Sequence, residues 1–264
     1  MAARDRAAAL REYVASGNEA GVIALLSDGP SNLYLDIGDV EGRTAVFLAC
    51  EGGHDHALQA LIEAHADVNL SRLPEDEGGA DPKRKTVSAD GSGPSPLHVA
   101  CQHGHPNCVQ MLIDHGADVN ARTNKARTPV FNAARFGNAS CLRKLLKAGG
   151  NVDMPNLYEQ TPTFVAAEEG RTECLQLLID AKADINKPDF AGRTPVFISC
   201  VADMPESLEV LVKASANLTH PSNNGKTPLW ISRATRHYDT AALIALATLE
   251  IEIDTDLSNE EGDR

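Results

Sequence analysis

Aromatic residues are scarce in this chain: Phe, Tyr and Trp make up 4% of 264 residues, with a single Trp. One large globular core normally relies on such side chains as bulky filler. Their shortage favours thin, closely stacked helices packed through Ala, Val, Leu and Ile. Positive charge is also short. The 24 Lys and Arg stand against 37 Asp and Glu, a net charge of −13, which repels a phosphate backbone and argues against nucleic acid as a partner. Long apolar runs are missing as well. The longest, Ala241–Leu249, is about half of what a membrane span needs. Arg4, Asp5, Arg6, Arg11 and Glu12 interrupt any stretch that could serve as a signal peptide. These absences lead to the expectation of a soluble, intracellular protein of the cytoplasm or nucleus, with no membrane partner.

Signatures of chemistry are equally sparse. There is no Gly-rich phosphate loop and no nucleophile elbow. Glu168 and Glu169 are adjacent carboxylates, but neighbours in a helical sequence point apart. His98, His103, His105 and His115 gather with Cys101 and Cys108, yet their spacing matches no structural zinc pattern. The six cysteines fall into two columns: Cys108, Cys141 and Cys174 in one, Cys50, Cys101 and Cys200 in the other. Equivalent positions on packed helices lie about 8–10 Å apart, too far for a disulfide, so buried reduced thiols are expected. The chain reads as non-enzymatic, with no catalytic residue, no cofactor and no metal.

What is abundant is repetition. A short motif recurs at Thr44-Ala45-Val46-Phe47, Ser95-Pro96-Leu97-His98, Thr128-Pro129-Val130-Phe131, Thr161-Pro162-Thr163-Phe164, Thr194-Pro195-Val196-Phe197 and Thr227-Pro228-Leu229-Trp230. From Ser95 onward the starts are 33 residues apart; the first gap is 51, longer by an 18-residue insertion. A second motif keeps the same phase, as in Ala66-Asp67-Val68-Asn69, Ala117-Asp118-Val119-Asn120 and Ala183-Asp184-Ile185-Asn186. Between the two sits an apolar triplet at i, i+3, i+4, such as Leu142/Leu145/Leu146, which lays a stripe along one helix face. Weaker triplets, Val22/Leu25/Leu26 and Ala241/Ile244/Ala245, flank the array.

This period and motif resemble the ankyrin repeat. The resemblance covers residues 4–253, in units near 4–38, 39–69, 90–122, 123–155, 156–188, 189–221 and 222–253, with 70–88 an inserted flexible loop and 254–264 an acidic tail. It implies an all-α repeat solenoid of stacked helix-turn-helix units with short β-hairpin tips. Only His98 keeps the family's usual His; Phe47, Phe131, Phe164, Phe197 and Trp230 replace it elsewhere and are expected to fill the same slot between units.

The residues supply a physical logic for each unit. Thr is a competent N-cap, and Pro at the first helical position loses no hydrogen bond. Gly53, Gly104, Gly137 and Gly170 end the first helix. No single unit can bury its own stripe, so neighbours must stack. The insertion carries Lys83, Arg84 and Lys85 before Thr86 and Ser88, a spacing that suits basophilic kinases, although a tolerated surface insertion is the preferred reading. Asn69, Asn120 and Asn186 lie where ankyrin asparagines can be hydroxylated, but the same residues are simply repeat consensus.

The resemblance also implies that a partner binds the concave side, at hairpin tips and outward positions of the first helices. Phe136, Leu157, Tyr158 and Phe190 break the polar pattern there and suggest an interface anchor. Lys125, Arg127 and Arg135 lie beside them, with Glu168, Glu169 and Arg193 completing the set. A partner segment of acidic and aromatic character would suit this mixture. The expected function is a monomeric protein–protein interaction module, an adaptor or scaffold with a protein partner; the alternative is an assembly chaperone or steric inhibitor of a partner.

Overall fold

A computed structural model describes residues 3–28, 34–72 and 93–249. Most of the inserted loop, including Thr86 and Ser88, and all of the acidic tail lie outside the described residues. The chain divides into two compact units, Met1–Asn151 and Val152–Arg264.

Unit 1 holds eight helices among its described residues: α1 (Ala3–Ala15), α2 (Glu19–Ser27), α3 (Ala45–Gly52), α4 (Asp55–Glu63), α5 (Pro96–His103), α6 (Pro106–Asp114), α7 (Pro129–Phe136) and α8 (Ala139–Lys147). The first helices α1, α3, α5 and α7 stack in sequence order, and so do the second helices α2, α4, α6 and α8. Each pair is an antiparallel hairpin. Its first helix starts where Thr44 Oγ1 or Thr128 Oγ1 accepts the amide of Phe47 (3.2 Å) or Phe131 (3.1 Å), the capping bond expected of Thr. Small residues make the stacking close: Ala49, Ala100, Ala133 and Ala134 are fully buried.

Unit 2 repeats the scheme with α9 (Pro162–Glu168), α10 (Thr172–Asp180), α11 (Pro195–Val201), α12 (Pro205–Lys213), α13 (Pro228–Thr235) and a last helix, α14, over residues 238–249. Thr161, Thr194 and Thr227 cap their helices in the same way, at 3.1, 3.3 and 3.2 Å. Among the described residues no helix is long and apolar enough to cross a membrane.

Two expectations need correction. The tips form no strands among the described residues. Each is a five-residue turn held by two backbone bonds, as where Asp39 N–H donates to Arg43 O (3.1 Å) and Gly42 N–H to Asp39 O (3.0 Å), or Asp189 N–H to Arg193 O and Gly192 N–H to Asp189 O (both 2.9 Å). A side chain takes the amides that a strand ladder would use: Asp189 Oδ1 accepts from Ala191 (3.0 Å) and Arg193 (2.9 Å), and Asn156 Oδ1 accepts from Tyr158 and Gln160. The aromatic slot also differs at its last position. Phe47, Phe131, Phe164 and Phe197 are buried, but Trp230 is 47% exposed. No further first helix among the described residues follows α13 to cover it.

All six cysteines are free and buried. Burial pushes the Cys50 and Cys101 thiols up and takes Cys141 and Cys200 to about 11. These four remain protonated and act as apolar filler.

Candidate partner-binding surface

The tips are the best candidates because their side chains project while their backbone is held. In unit 2, Asn156 anchors one tip and Asp189 the next. The Phe190 amide donates to Tyr158 O (3.2 Å), and the Asn223 amide to Ala191 O (2.9 Å), so consecutive tips are stitched together. This places Tyr158 and Phe190 with ring centroids 6.3 Å apart in a tilted pair. Leu157, Tyr158 and Phe190 are all more than half exposed. Such an aromatic pair left in water has no folding role that requires it.

The charged members of the predicted set in unit 2 are less available. Arg193 is tied to Asp189 through its Nε (2.8 Å) and lies 5.8 Å from the Phe164 ring centre. It shapes the tip and covers a core aromatic. Glu168 ends α9, and Glu169 is its C-cap; both are half-buried.

In unit 1, Phe136 is exposed at the end of α7, with the Arg135 guanidinium 6.0 Å from its ring centre. Arg127 is half-buried over Phe131 at 5.8 Å, and Lys125 is half-buried at the preceding tip. The tip of Asp39 matches that of Asp189. Burial works against ionising Asp39, but the Arg43 amide, the Arg43 guanidinium and the Glu41 amide hold its carboxyl below the usual range.

The histidines sit in structural roles. Nδ1 of buried His98 accepts the Ser95 amide (3.2 Å), and its Nε2–H donates to Arg127 O (3.0 Å). Burial pushes its pKa down to about 4, so the ring is neutral. His105 Nε2 reaches Glu51 O at 3.2 Å. Among the described residues no three His, Cys, Asp or Glu side chains converge as a metal site. The asparagines of the second motif rivet consecutive repeats: Asn69 Oδ1 accepts the Asp118 amide, Asn120 Oδ1 the Asn151 amide and Asn186 Oδ1 the Asn217 amide, at 2.8–3.0 Å.

The family model for ankyrin repeats in blocks of three copies matches residues 8–123, 76–156, 97–189 and 164–256. The chain belongs to the ankyrin repeat family. Ankyrin repeats are generally protein–protein interaction modules and typically carry no catalytic centre. The crystal structure of the human ASB11 ankyrin repeat domain matches with a TM-score of 0.70, covering 84% of this chain and 90% of that one; at 24% identity it speaks to the fold alone. The ankyrin repeat and SOCS box protein 11 of Danio rerio is 31% identical over 46% of this chain and 34% of its own length. The E3 ubiquitin-protein ligase KEG of Arabidopsis thaliana is 33% identical over 47% of this chain and 6% of its own length. The NF-kappa-B inhibitor cactus of Drosophila yakuba is 28% identical over 36% of this chain and 22% of its own length. The ankyrin repeats here thus match only a minor part of each of these longer relatives.

The sequence anticipated that Phe136, Leu157, Tyr158 and Phe190 would be exposed, but not that Trp230 would. It had no means of showing that Arg193 would be taken up by Asp189: a four-residue spacing carries that message only once the turn between them is known.

Proposed function

We propose that the chain is a non-enzymatic adaptor or scaffold that holds a protein partner on its tips and first-helix ends, acts as a monomer in the cytoplasm or nucleus, and binds neither nucleic acid nor membrane. The array at 4–253 is taken as the binding domain. The observation that carries the reading is the exposed Tyr158–Phe190 pair with Leu157, held on backbone-stitched tips. A surface fixed before binding loses little entropy on complex formation, and aromatic anchors commonly dominate such interfaces. Phe136, with Arg135, Arg127 and Lys125, forms a separate candidate set in unit 1, and Glu168, Glu169 and Arg193 border the set in unit 2. The partner segment best suited to these residues is apolar or aromatic with some acidic character.

A steric inhibitor or assembly chaperone is the second reading; one relative is named as an inhibitor, cactus. Capture of partners with the purified chain, repeated with Tyr158→Ala plus Phe190→Ala and separately with Phe136→Ala, tests the first reading. Loss of the same partner from the double variant supports it; an unchanged set of partners refutes the anchor. Competition between this chain and the partner's own ligand separates inhibitor from scaffold.

A further inference from the structure

The last repeat of unit 2 turns apolar side chains outward where other repeats do not. Thr227, Leu229, Trp230, Arg233 and Ala234 line a cavity of about 490 Å³ on α13. The counterparts of Leu229 (Val130, Val196) and of Trp230 (Phe131, Phe164, Phe197) are buried in their own repeats. α14 shows the same break. Leu246 is exposed at a position where Glu63, Asp114, Lys147, Asp180 and Lys213 carry exposed charges. Leu249 is exposed, whereas its counterparts Ala66, Ala117, Ala183 and Ala216 are buried. Ala242 replaces a long polar residue, as at Gln110 and Glu209. With exposed Tyr238 these three fall within about 80° around the helix at ~100° per residue, so they form one stripe.

The stripe lies on the side where a repeat meets its successor. Asp55 and Gln110 hold the positions of Tyr238 and Ala242 in unit 1, and each is bonded to the following second helix. Asp55 Oδ2 accepts from Asn107 Nδ2 (2.7 Å), and Gln110 Oε1 from Lys144 Nζ (3.1 Å). Charge is reset at this end as well. At the tips of Asp39 and Asp189 that carboxylate holds the cation four residues on, with Arg43 Nε and Arg193 Nε each at 2.8 Å. At the last tip Ser222 stands where the acid would be, and the Lys226 ammonium lies 4.2 Å from the Trp230 ring centre. Arg233 joins it at a position that Ala134, Ala167 and Cys200 fill elsewhere. Among the described residues no carboxylate pairs with Lys226 or Arg233.

We propose that this end of unit 2 docks an acidic amphipathic helix of a partner protein, its apolar side on Trp230 and the α14 stripe and its carboxylates opposite Lys226 and Arg233. The helix takes the place that the helices of the next repeat hold elsewhere in the array. The lysine and arginine stems flank the apolar floor and keep their charged ends at the rim, so burial supplies affinity and the cations select the acidic flank. A second copy meeting this face about a two-fold axis would set these cations against themselves. An anionic bilayer would meet the field of a chain whose net charge is −13, whereas a short acidic segment meets chiefly the charges within about 10 Å of it. The site is separate from the aromatic tips and does not depend on them.

Trp230 is the only tryptophan in the chain, so acrylamide quenching of its fluorescence in the full-length protein reports this face alone. The probe is a tryptophan-free helical peptide with leucines along one side and glutamates flanking them; its control carries lysines in place of the glutamates. The glutamate peptide is expected to protect Trp230 saturably, the quenching constant falling about twofold as the indole leaves water, and the lysine peptide to give no protection. Lys226→Glu plus Arg233→Glu is expected to exchange the two peptides. Leu246→Glu plus Leu249→Ala, which restore residue types of the other repeats, is expected to abolish protection by the glutamate peptide, and Tyr158→Ala plus Phe190→Ala at the tips to leave it unchanged. Circular dichroism checks that each variant is folded. Equal protection by the two peptides, or protection by neither, overturns the proposal. So does protection of the chain alone that grows with its concentration, which would place a second copy on this face, or protection by phosphatidylserine vesicles and not by the glutamate peptide, which would make it a membrane contact.

Discussion

The first-to-second-helix turn is built with glycine throughout unit 1 and only once in unit 2. Gly53, Gly104 and Gly137 carry it at φ 69°, 77° and 77° in unit 1. In unit 2 Gly170 has φ 68°, but Asp203 and Arg236 hold the same left-handed position at 54° and 64°. The geometry of the reversal is thus invariant, and only the residue that bears it changes. In unit 1 glycine is required twice over. A Cβ on Gly104 would lie 2.6 Å from Asn138 Oδ1, and one on Gly53 would lie 2.5 Å from His105 Nδ1. Those side chains reach back from the next repeat: Asn138 Nδ2 donates to Cys101 O (2.7 Å) and Gln102 O (2.9 Å), tying off the carbonyls of α5. Unit 1 therefore couples repeats through polar bridges over glycine; in unit 2 the nearest side chain at Gly170 is that of Met204, which cannot donate, and the matching bridge, from His237 Nδ1 to Cys200 O (2.9 Å), stands at the turn carried by Asp203.

The largest expected difference between the units is a pH dependence confined to unit 1. His98 occupies the slot that Phe164 and Phe197 fill in unit 2. Its pKa is about 4 when folded against the usual 6.5. The unfolded chain therefore binds the extra proton between these values, and the folded chain does not. Stability contributed by the neutral ring is complete above pH 6.5, falls as the pH drops towards 4, and changes no further below that. The full loss is roughly 3 kcal/mol at ~1.4 kcal/mol per pKa unit. Urea unfolding at pH 7, 5.5 and 4 measures it. His98→Phe is expected to remove most of the slope; a slope unchanged in that variant would show that other groups set it. Asp39 has the depressed carboxyl pattern, and its contribution is lost only below the usual carboxylate range.

Next in size is the glycine bridge itself. Gly104→Ala both strains a left-handed residue and displaces Asn138 from two carbonyls, at a cost of about 2 kcal/mol in denaturant unfolding. Asn138→Ala alone is expected to lose only the second part. If the two variants were equal, backbone strain would contribute nothing at this turn.

Much of this contrast was open to sequence reading, and the reason is phase. A 33-residue period places Thr128, Thr161 and Thr194 at one structural position without any knowledge of contacts, and the three capping bonds follow. The tips were misread as strands because the side chain that closes each turn, Asp39, Asn156 or Asp189, varies in type, and its competition with a backbone ladder shows only in three dimensions. Asp203 and Arg236 escaped notice for a related reason: the turn was sought through glycine, and only φ reveals that a non-glycine residue carries it. Tyr158 and Phe190 were legible as projecting residues. Their pairing was not, because it depends on how consecutive tips bond.

A smaller asymmetry concerns buried hydroxyls in unit 2. Thr163 stands where Val46, Val130 and Val196 stand in other repeats and is fully buried, yet its Oγ1 has no hydrogen-bond partner. Ser207 is in the same condition in the column that holds Cys108, Cys141 and Cys174. An unsatisfied buried hydroxyl costs about 1–3 kcal/mol. Thr163→Val keeps the shape and is expected to raise stability by ~1 kcal/mol, read as a higher urea midpoint at an unchanged slope. A lower midpoint would mean that the hydroxyl has a partner after all.

The smallest expected effect tests the opening contrast most directly, because it gives unit 2 the residue of unit 1. Asp203→Gly and Arg236→Gly should each stabilise by at most ~1 kcal/mol, since relief of the left-handed penalty is partly cancelled by a more flexible unfolded chain. The two should not be equal. Asp tolerates this conformation better than a long side chain, and Asp203 also accepts a bond from Thr240 Oγ1 at 3.4 Å, which the glycine variant would lose. Arg236 has the larger backbone penalty to relieve, so Arg236→Gly should give the greater rise in Tm. If Asp203→Gly gave the larger rise, both premises would fail: the Thr240 bond would not stabilise, and Arg236 would not carry the larger backbone penalty.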